Sequence, residues 1–522
     1  MNPIKPDNKN EASRPSDLPT IIVTGASGFI GRHFLQSFHN DFYIYAFARR
    51  SQKSVGIAMH ENINWIRVDI GEETSVKNVF NRIAQNGGAD YILHLAGYYD
   101  FDGRDNLEYE RTNVNGTRYI LESALNLNIK RFIFSSSLTI TQFEKPGLII
   151  NEKSPADAKF EYAVSKIKGE KLVRQYSDKF PVAIVRLAAI YSDWCEYGPL
   201  YKFLSTWLSK RWNSNILAGK GESAVPYLHV KNLNTLFDKI FKKSDLLPRY
   251  DVFIASPNGC TSHKQLYKIA IRYNFGFPKK PCFIPKWFAY FGVLALNFFG
   301  GIIGKSPFEK PWMIHYVDLK LNVNAAYTHN KLEWKPVARF NISQRLLFLI
   351  EHMKSNPFKW HYKNIEALEK QRKTHRNFKI YEVMQSLQDQ IVKGIMLEMH
   401  SKKYSDRFLP YKKLKSQLHG ERILFVYSMF KTAVRTGDRM HVISYARNLA
   451  SERSKEDFSV HDITDAVEFT ADFIVKTLLG RPELVEQPEL KDMEQMIYDE
   501  ITLTAQLIID ELEDSFDRLM HN

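Results

Sequence analysis

The chain has 522 residues, with 72 Lys+Arg against 58 Asp+Glu and a formal net charge of +14. A hydrophobic content of 44% excludes a wholly disordered or fibrous protein, and the length fits three or so domains. Cys195, Cys260 and Cys282 are odd in number and far apart. That excludes a disulfide framework and a cysteine-rich zinc site, and it leads us to expect a reducing, cytoplasmic setting and no metal. Residues 1–19 lack the apolar run of a secretory signal, and their Pro, Asn, Ser and charge content reads as a solvated, disordered tail.

In chain order, residues 20–24 (TIIVT) form a short apolar run that stops at glycine, the pattern of a buried parallel strand. An apolar-periodic helix is expected over Phe29–Phe38. Strands follow at 42–48, 63–68, 90–95, 131–135 and 182–187, with helices near 73–85, 107–127 and 160–176 between them. This alternation predicts an α/β fold: a Rossmann-like, doubly wound parallel sheet over about 20–190. From about 191 to 365 the elements become irregular and proline-punctuated, as in a small α/β substrate lobe. From 370 to 522 Pro and Gly thin out. Apolar residues at i, i+3 and i+4 over 378–400, 420–454, 459–478 and 489–520 predict an all-α bundle.

Charge is unevenly spread: net +16 over 1–369, +11 over 370–450 and −13 over 451–522. A basic half beside an acidic half of one helical module suggests self-association, so a homo-oligomer formed through the bundle is expected; a solvated helix face is the simpler account. No zinc-finger spacing or basic zipper supports nucleic-acid binding, and none is expected.

Thr24-Gly25-Ala26-Ser27-Gly28-Phe29-Ile30-Gly31 lies between a strand and a helix. Gly25 suits the tight turn, Gly28 the backbone's approach to a pyrophosphate, and Gly31 close helix–strand packing. At the end of the second strand, where an acidic residue would bind the ribose 2′-hydroxyl of NAD, stand Ala48-Arg49-Arg50. Two guanidiniums suit a 2′-phosphate, so NADP is expected, with NAD the alternative. Asp69, past the third strand, is placed to reach the adenine edge.

Tyr162-Ala163-Val164-Ser165-Lys166 sets a phenol and an ammonium one turn apart on a helix. A nearby cation favours the phenolate, so a lowered tyrosine pKa is expected and with it proton exchange with an alcohol or ketone. Ser135-Ser136-Ser137 end the fifth strand at the carboxyl edge, where ligands bind in such sheets.

Together these motifs resemble the extended short-chain dehydrogenase/reductase superfamily, the NAD-dependent epimerase/dehydratase group, over about residues 20–350. His94-Leu95-Ala96-Gly97, Asn113-Val114-Asn115-Gly116-Thr117 and Leu332-Glu333-Trp334-Lys335-Pro336 are further family-like pieces in the family's order. The resemblance implies Tyr162 as general acid/base, Lys166 as its partner and Ser137 as the hydroxyl that orients the substrate oxygen, with Ser136 the alternative register. It also implies a dinucleotide surrounded by Gly25, Ser27, Gly28, Phe29, Ile30, Gly31, Arg49, Arg50, Asp69, Ile70, Leu95, Ala96, Gly97, Asn113, Tyr162 and Lys166. Four departures from the family pattern stand out, three bearing on the substrate and the last, at 186–187, on the loop over the nicotinamide. Leu138-Thr139 stand where sugar-nucleotide 4,6-dehydratases carry an Asp-Glu pair. Val225 stands near the diphosphate-gripping Arg of many epimerases, and Asn232 at the Asp of their "hV-x-D" segment. Arg186-Leu187 replaces the usual Arg-Pro. The "V-x-N" form is closer to the 3β-hydroxysteroid dehydrogenase and dihydroflavonol-reductase-like branches, which implies hydride transfer on a secondary alcohol or ketone of a small, lipophilic substrate. A nucleotide-sugar epimerase and a non-catalytic dinucleotide sensor are the alternatives.

Residues 287–304 (WFAYFGVLALNFFGGIIG) carry no charge and just reach the length of a membrane span. A span, a helical lid over a lipophilic pocket and a peripheral contact with a bilayer are the competing readings. In the tail, Gly437-Asp438, the Tyr445–Arg453 stretch and Phe458-Ser459 look like the helical sensor modules of bacterial stress-signalling co-antagonists, which implies a regulatory or dimerising role; a generic oligomerisation bundle is the simpler alternative.

Overall fold

The computed structural model describes residues 18–99, 106–143, 147–302, 308–404, 406–436, 439–454, 456, 458–485 and 493–520. Most of the expected tail, Gly437-Asp438 and the last two residues of the apolar segment lie outside the described residues. The chain divides into two compact units, Met1–Ala295 with Phe308–Leu368, and Leu296–Pro307 with Glu369–Asn522.

The first unit is built on seven parallel strands: β1 (Thr20–Thr24), β2 (Tyr43–Ala48), β3 (Ile63–Arg67), β4 (Tyr91–His94), β5 (Arg131–Ser137), β6 (Val182–Leu187) and β7 (Tyr250–Ala255). Their spatial order is β7-β6-β5-β4-β1-β2-β3, so the order reverses at β1 and β4. A crevice outside the carboxyl ends of the strands opens at such a switch point. The strands read as continuous apolar runs because both faces are covered. Ile21, Val23, Ile44, Leu93, Ile133 and Val185 point into one core. Ile22, Phe47, Ile92, Phe132, Phe134 and Ile184 point into the other. This period-two alternation fixes register, because a one-residue slip would exchange the two sets. Crossovers α1 (Phe29–Phe38), α2 (Glu73–Gln85), α3 (Gly116–Ala124) and α4 (Glu161–Gln175) pack on these faces.

The expected strands appear within a residue or two, with β5 running on to Ser137. The helix expected near 107–127 instead begins as a π-helical stretch, Tyr109–Asn115, before α3. Single π turns inside helices are frequent at functional sites. The lobe after β6 closes back on the sheet. Trp334 Nε1 donates to Thr235 Oγ1 at 2.9 Å, and Asn232 Oδ1 accepts from the Val337 backbone N–H at 3.0 Å. An acceptor oxygen is all that this closure needs, so asparagine serves as well as aspartate, and the departure at 232 carries no information about substrate.

The second unit is all-helical beyond Glu369, with a core that includes Ile395, Tyr427, Phe430, Ile474 and Ile501. Its charge polarity is matched internally: Arg407 pairs with Asp465, Arg422 with Glu456, Arg439 with Glu500 and Arg447 with Glu511. The basic 370–450 stretch thus faces the acidic 451–522 stretch of the same chain, and the polarity needs no second copy to account for it. Among the described residues no helix is long and apolar enough to cross a membrane, and no group of His, Cys, Asp or Glu could hold a metal ion.

Candidate active site

The glycine loop follows from backbone geometry. Gly25 has φ +72°, and a Cβ there would sit 2.8 Å from the Ala96 nitrogen. The Gly28 N–H donates to Gly25 O at 2.8 Å, closing the turn. A Cβ on Gly31 would approach Gly25 O to 2.4 Å, so only glycine lets α1 start this close to β1. Helix α1 opens at Gly28 without a side-chain cap or an acidic first turn, which leaves its N–H groups directed at the crevice. Phe29 and Ile30 pack against the sheet core behind the loop. A cradle that excludes even a methyl group, at a helix N-terminus, fits a dinucleotide pyrophosphate.

A directed hydrogen-bond chain braces this loop. The Thr117 hydroxyl donates to Asn113 O at 2.6 Å, so it accepts from His94 Nε2 at 3.0 Å. His94 Nδ1 then accepts from Thr24 Oγ1 at 2.8 Å, and Thr24 Oγ1 accepts from the Ala96 N–H at 3.1 Å. The tautomer is assigned by this network. Burial, with Lys166 adding to it, pushes His94 down to about 3, so the ring stays neutral and the chain keeps one direction. Leu95, Ala96 and Gly97 thereby form a fixed rim; the Leu95 N–H donates to Thr24 O at 3.3 Å. Thr24, His94 and Thr117 were not among the expected site residues. The signal for Thr24 and His94 is a polar residue at the end of an otherwise apolar strand; Thr117, in the first turn of α3, carries no such signal.

Asn113 lies on the π-helical stretch, fully buried. Its Oδ1 accepts from the Tyr98 N–H at 2.6 Å, and its Nδ2 donates to Tyr98 O and to Ser165 Oγ, both at 2.9 Å. It clamps the rim to the middle of the Tyr-x-x-Ser-Lys segment, so its visible role is positioning.

The two arginines after β2 diverge. Arg50 reaches back to the carbonyl of Ser27, on the edge of the glycine loop. Arg49 is buried toward Glu108, Arg111 and Tyr98; burial pushes its pKa down while Glu108 opposes the fall. The structure therefore separates a pair that the sequence reading treated as one clamp. Asp69 accepts from the Gly71 N–H at 3.0 Å and contacts Arg111 at 3.3 Å, and Ile70 packs in the core on that side.

Helix α4 brings the catalytic candidates to the end of β5. Tyr162 lies near the Ser137 hydroxyl. Ser137 Oγ also meets Thr139 Oγ1 at 2.8 Å. Ser136, on the other face of β5, is buried. Tyr99, Tyr109 and Phe160 surround the half-buried Tyr162 ring, at centroid distances of 4.5, 6.4 and 6.4 Å. Lys166 Nζ donates to Ser135 O at 2.8 Å and lies 4.8 Å from the Phe134 ring centroid. Burial pulls the ammonium down to about 8, opposed by Glu170. The expectation of a lowered tyrosine pKa is corrected here. Burial dominates and pushes the phenol up to about 12, with the Ser137 hydroxyl opposing it.

Glu170 holds α4 in place. Arg186 donates to its two carboxylate oxygens at 3.1 and 2.9 Å, and to Ser154 O at 3.0 Å. Next to Ser137, Thr139, Thr141, Gln142, Phe143, Phe160 and Tyr316 line a cavity of about 90 Å³.

Fold and site together give a Rossmann-like α/β unit with a glycine-rich loop and a Tyr162/Lys166 pair at the carboxyl edge of its sheet. Residues 21–255 match the model of the NAD dependent epimerase/dehydratase family. A dTDP-D-glucose 4,6-dehydratase of Dictyostelium discoideum is 26% identical over 262 residues, 45% of this chain and 58% of that protein. An L-arabinose 1-dehydrogenase (NAD(P)(+)) of Haloferax volcanii is 25% identical over 182 residues, 33% of this chain and 66% of that protein. The chain thus spans between about half and two thirds of the length of the curated relatives it matches. Among solved structures, a UDP-glucose 4-epimerase from Thermotoga maritima with UDP-glucose superposes with a TM-score of 0.50 at 19% identity, over 65% of this chain and 99% of that one. That likeness establishes the Rossmann-like fold.

Proposed function

We propose that the chain is an NAD(P)-dependent oxidoreductase acting on a secondary alcohol or ketone of a lipophilic substrate. One observation carries the reading: Ser137, at the carboxyl edge of β5, lies close enough to Tyr162 on α4 to lower its pKa against the pull of burial, with Lys166 one turn further along. A bound dinucleotide supplies or accepts the hydride. Gly25, Ser27, Gly28, Phe29, Ile30 and Gly31 would hold its pyrophosphate, Arg50 its ribose 2′-phosphate, and Leu95, Ala96 and Gly97 the nicotinamide side. Ser137 Oγ orients the substrate oxygen. Tyr162 Oη moves the proton; a phenol held up to about 12 is protonated at neutral pH and so is ready to donate to a ketone. Lys166, at about 8, remains an ammonium at neutral pH and is placed to hold a ribose hydroxyl.

The lining of the cavity next to Ser137 is mixed, Phe143, Ala158, Phe160 and Tyr316 beside Thr139, Thr141, Gln142 and Lys159, so the lipophilic class is carried by the departures at 138–139 and 225. Leu138 and Thr139 supply no carboxylate pair for dehydration, and Val225 supplies no cation for a diphosphate. The epimerase reading is kept because a UDP-glucose 4-epimerase of Drosophila melanogaster is among the relatives, 26% identical over 178 residues. The two differ in net nicotinamide reduction, which an epimerase does not leave behind. A sensor without catalysis would keep its function in Tyr162→Phe. The preference for NADP rests on Arg50 alone. If NAD bound more tightly than NADP, that preference would be lost without touching the rest.

A cytoplasmic setting, with three free thiols, belongs to the same reading, as do a homo-oligomer and a regulatory or oligomerising role for the helical module after about 370. Peripheral contact of 287–304 with a bilayer also belongs to it, because a lipophilic alcohol partitions into membranes.

A further inference from the structure

Helix Lys286–Ile302 is the expected apolar segment. Its first ten residues, within the first unit, have two unlike faces. Ala289 and Val293 are buried against Ile314. Trp287, Phe288, Tyr290, Phe291 and Leu294 point outward, with Trp287 64% and Phe291 62% exposed. Burial of one such ring is worth about tenfold or more in a partition equilibrium. Five together form a patch of a size that monomeric proteins rarely leave uncovered.

The surroundings say what covers it. From Val252 to Phe308 the chain has no Asp or Glu, against seven Lys and Arg. From Tyr197 to Gly221 it has none either, against four. These two acid-free stretches meet in space. Cys282–Ile284 pairs with Ile216–Ala218, and the Cys282 N–H donates to Asn215 O at 2.7 Å. The Lys210-Arg211-Trp212 turn and Lys279-Lys280 lead into these two paired strands from the same end, with Trp212 85% exposed. Lys279 Nζ lies 3.6 Å from the Phe275 ring centroid, its stem laid along aromatic surface with the charge outward. Exposed indole and phenyl rings beside Lys210, Arg211, Lys279 and Lys280 complement an anionic lipid headgroup layer over an acyl boundary; the carboxylates of Asp318 and Glu222 lie at the far end of the paired strands, held by the Lys220 N–H and by Lys264.

The inner face of the helix leads to the active site. Ile314, which packs on Ala289 and Val293, belongs to the turn Pro311–Tyr316. Lys286 Nζ donates to His315 O at 2.8 Å. Tyr316, in the same turn, stacks on Phe143 at 5.3 Å and lines the cavity beside Ser137 and Thr139. One helix and one turn therefore separate the outer aromatic face from the cavity.

We propose that the helix beginning at Lys286 is an interfacial anchor that seats the first unit on an anionic bilayer and presents the Thr139–Tyr316 cavity to a substrate dissolved in that bilayer. The delivery half of this proposal rests on the oxidoreductase reading above; the docking half does not.

The experiment is flotation of the full-length protein with phosphatidylcholine vesicles, with and without phosphatidylglycerol. Binding is expected to rise with phosphatidylglycerol and to fall with added salt. Trp287→Ser with Phe291→Ser should lower the partition coefficient ~10-fold or more. Lys279→Glu with Lys280→Glu should abolish the dependence on phosphatidylglycerol. All four positions are solvent-facing, so dinucleotide affinity and the melting profile should match the parent and verify folding. Three results overturn docking: the parent staying with the unbound fraction for both vesicle types, flotation unchanged by loss of the two rings, or a parent dimer that Trp287→Ser/Phe291→Ser converts to monomer, which would make a second copy the occupant. Flotation as expected without alcohol-dependent nicotinamide reduction keeps the anchor and defeats the oxidoreductase reading. Catalysis without flotation does the reverse.

Discussion

Lys166 is a buried ammonium, and its displacement from the ordinary lysine value of 10.5 to about 8 has a direct thermodynamic consequence. A base whose folded-state pKa lies below its unfolded one binds fewer protons in the native state between the two values. Stability therefore rises with pH across that window. The full displacement corresponds to about 3 kcal/mol, of which about 2 kcal/mol is gained between pH 7 and pH 9.5. Lys166→Met removes the titration and keeps the apolar stem along Phe134. Urea unfolding of parent and Lys166→Met at pH 7 and pH 9.5 isolates the effect, because every other titrating group cancels in the difference. The parent should gain about 2 kcal/mol more than the variant over this interval. At pH 7 the variant should be the more stable protein and inactive, the trade expected of a charge retained for chemistry. Parallel pH profiles would show that Lys166 carries no desolvation cost, and the account of the site's electrostatics would fall with them.

Further outcomes follow from individual contacts. Glu170→Gln strands a buried guanidinium and should cost about 3–5 kcal/mol by urea unfolding, against much less for Glu170→Gln combined with Arg186→Met. Gly31→Val drives a side chain into Gly25 O and should remove dinucleotide binding by calorimetry while costing about 1–3 kcal/mol of stability. Arg50→Ala should weaken NADP more than NAD, whereas Arg49→Ala should lower stability through Glu108 and leave the NADP/NAD ratio unchanged; equal ratios in both variants would erase the distinction drawn between them.

The sheet was legible because a strand covered on both faces has to be apolar throughout, and TIIVT, YIYAFA and VAIVRL are. β7 was missed: Tyr250–Ala255 lies between Pro248 and Pro257, where punctuation hides a short run. The sequence leaves Ser136 and Ser137 as alternatives because they differ only in which face of β5 each occupies, and our proposal takes Ser137, the one on the Tyr162 side. The sign of the Tyr162 displacement was not legible, since spacing shows a cation one turn away but not how much water is lost around the phenol. Nor was the divergence of Arg49 from Arg50, because Glu108 reaches Arg49 only through the π-helical crossover. The polarity of the tail was legible as a charge count. Its matching within one chain, as in Arg422 with Glu456 and Arg447 with Glu511, required the helices to be placed.

The most direct test of the central claim follows nicotinamide absorbance with NADP and with NAD, over a panel of lipophilic secondary alcohols and their ketones, beside UDP-glucose. The account expects net, substrate-dependent turnover with a lipophilic member of the panel, reduced about 10²–10⁴-fold in Tyr162→Phe. Interconversion of the nucleotide sugar without net absorbance change, and silence toward every alcohol and ketone, would contradict it.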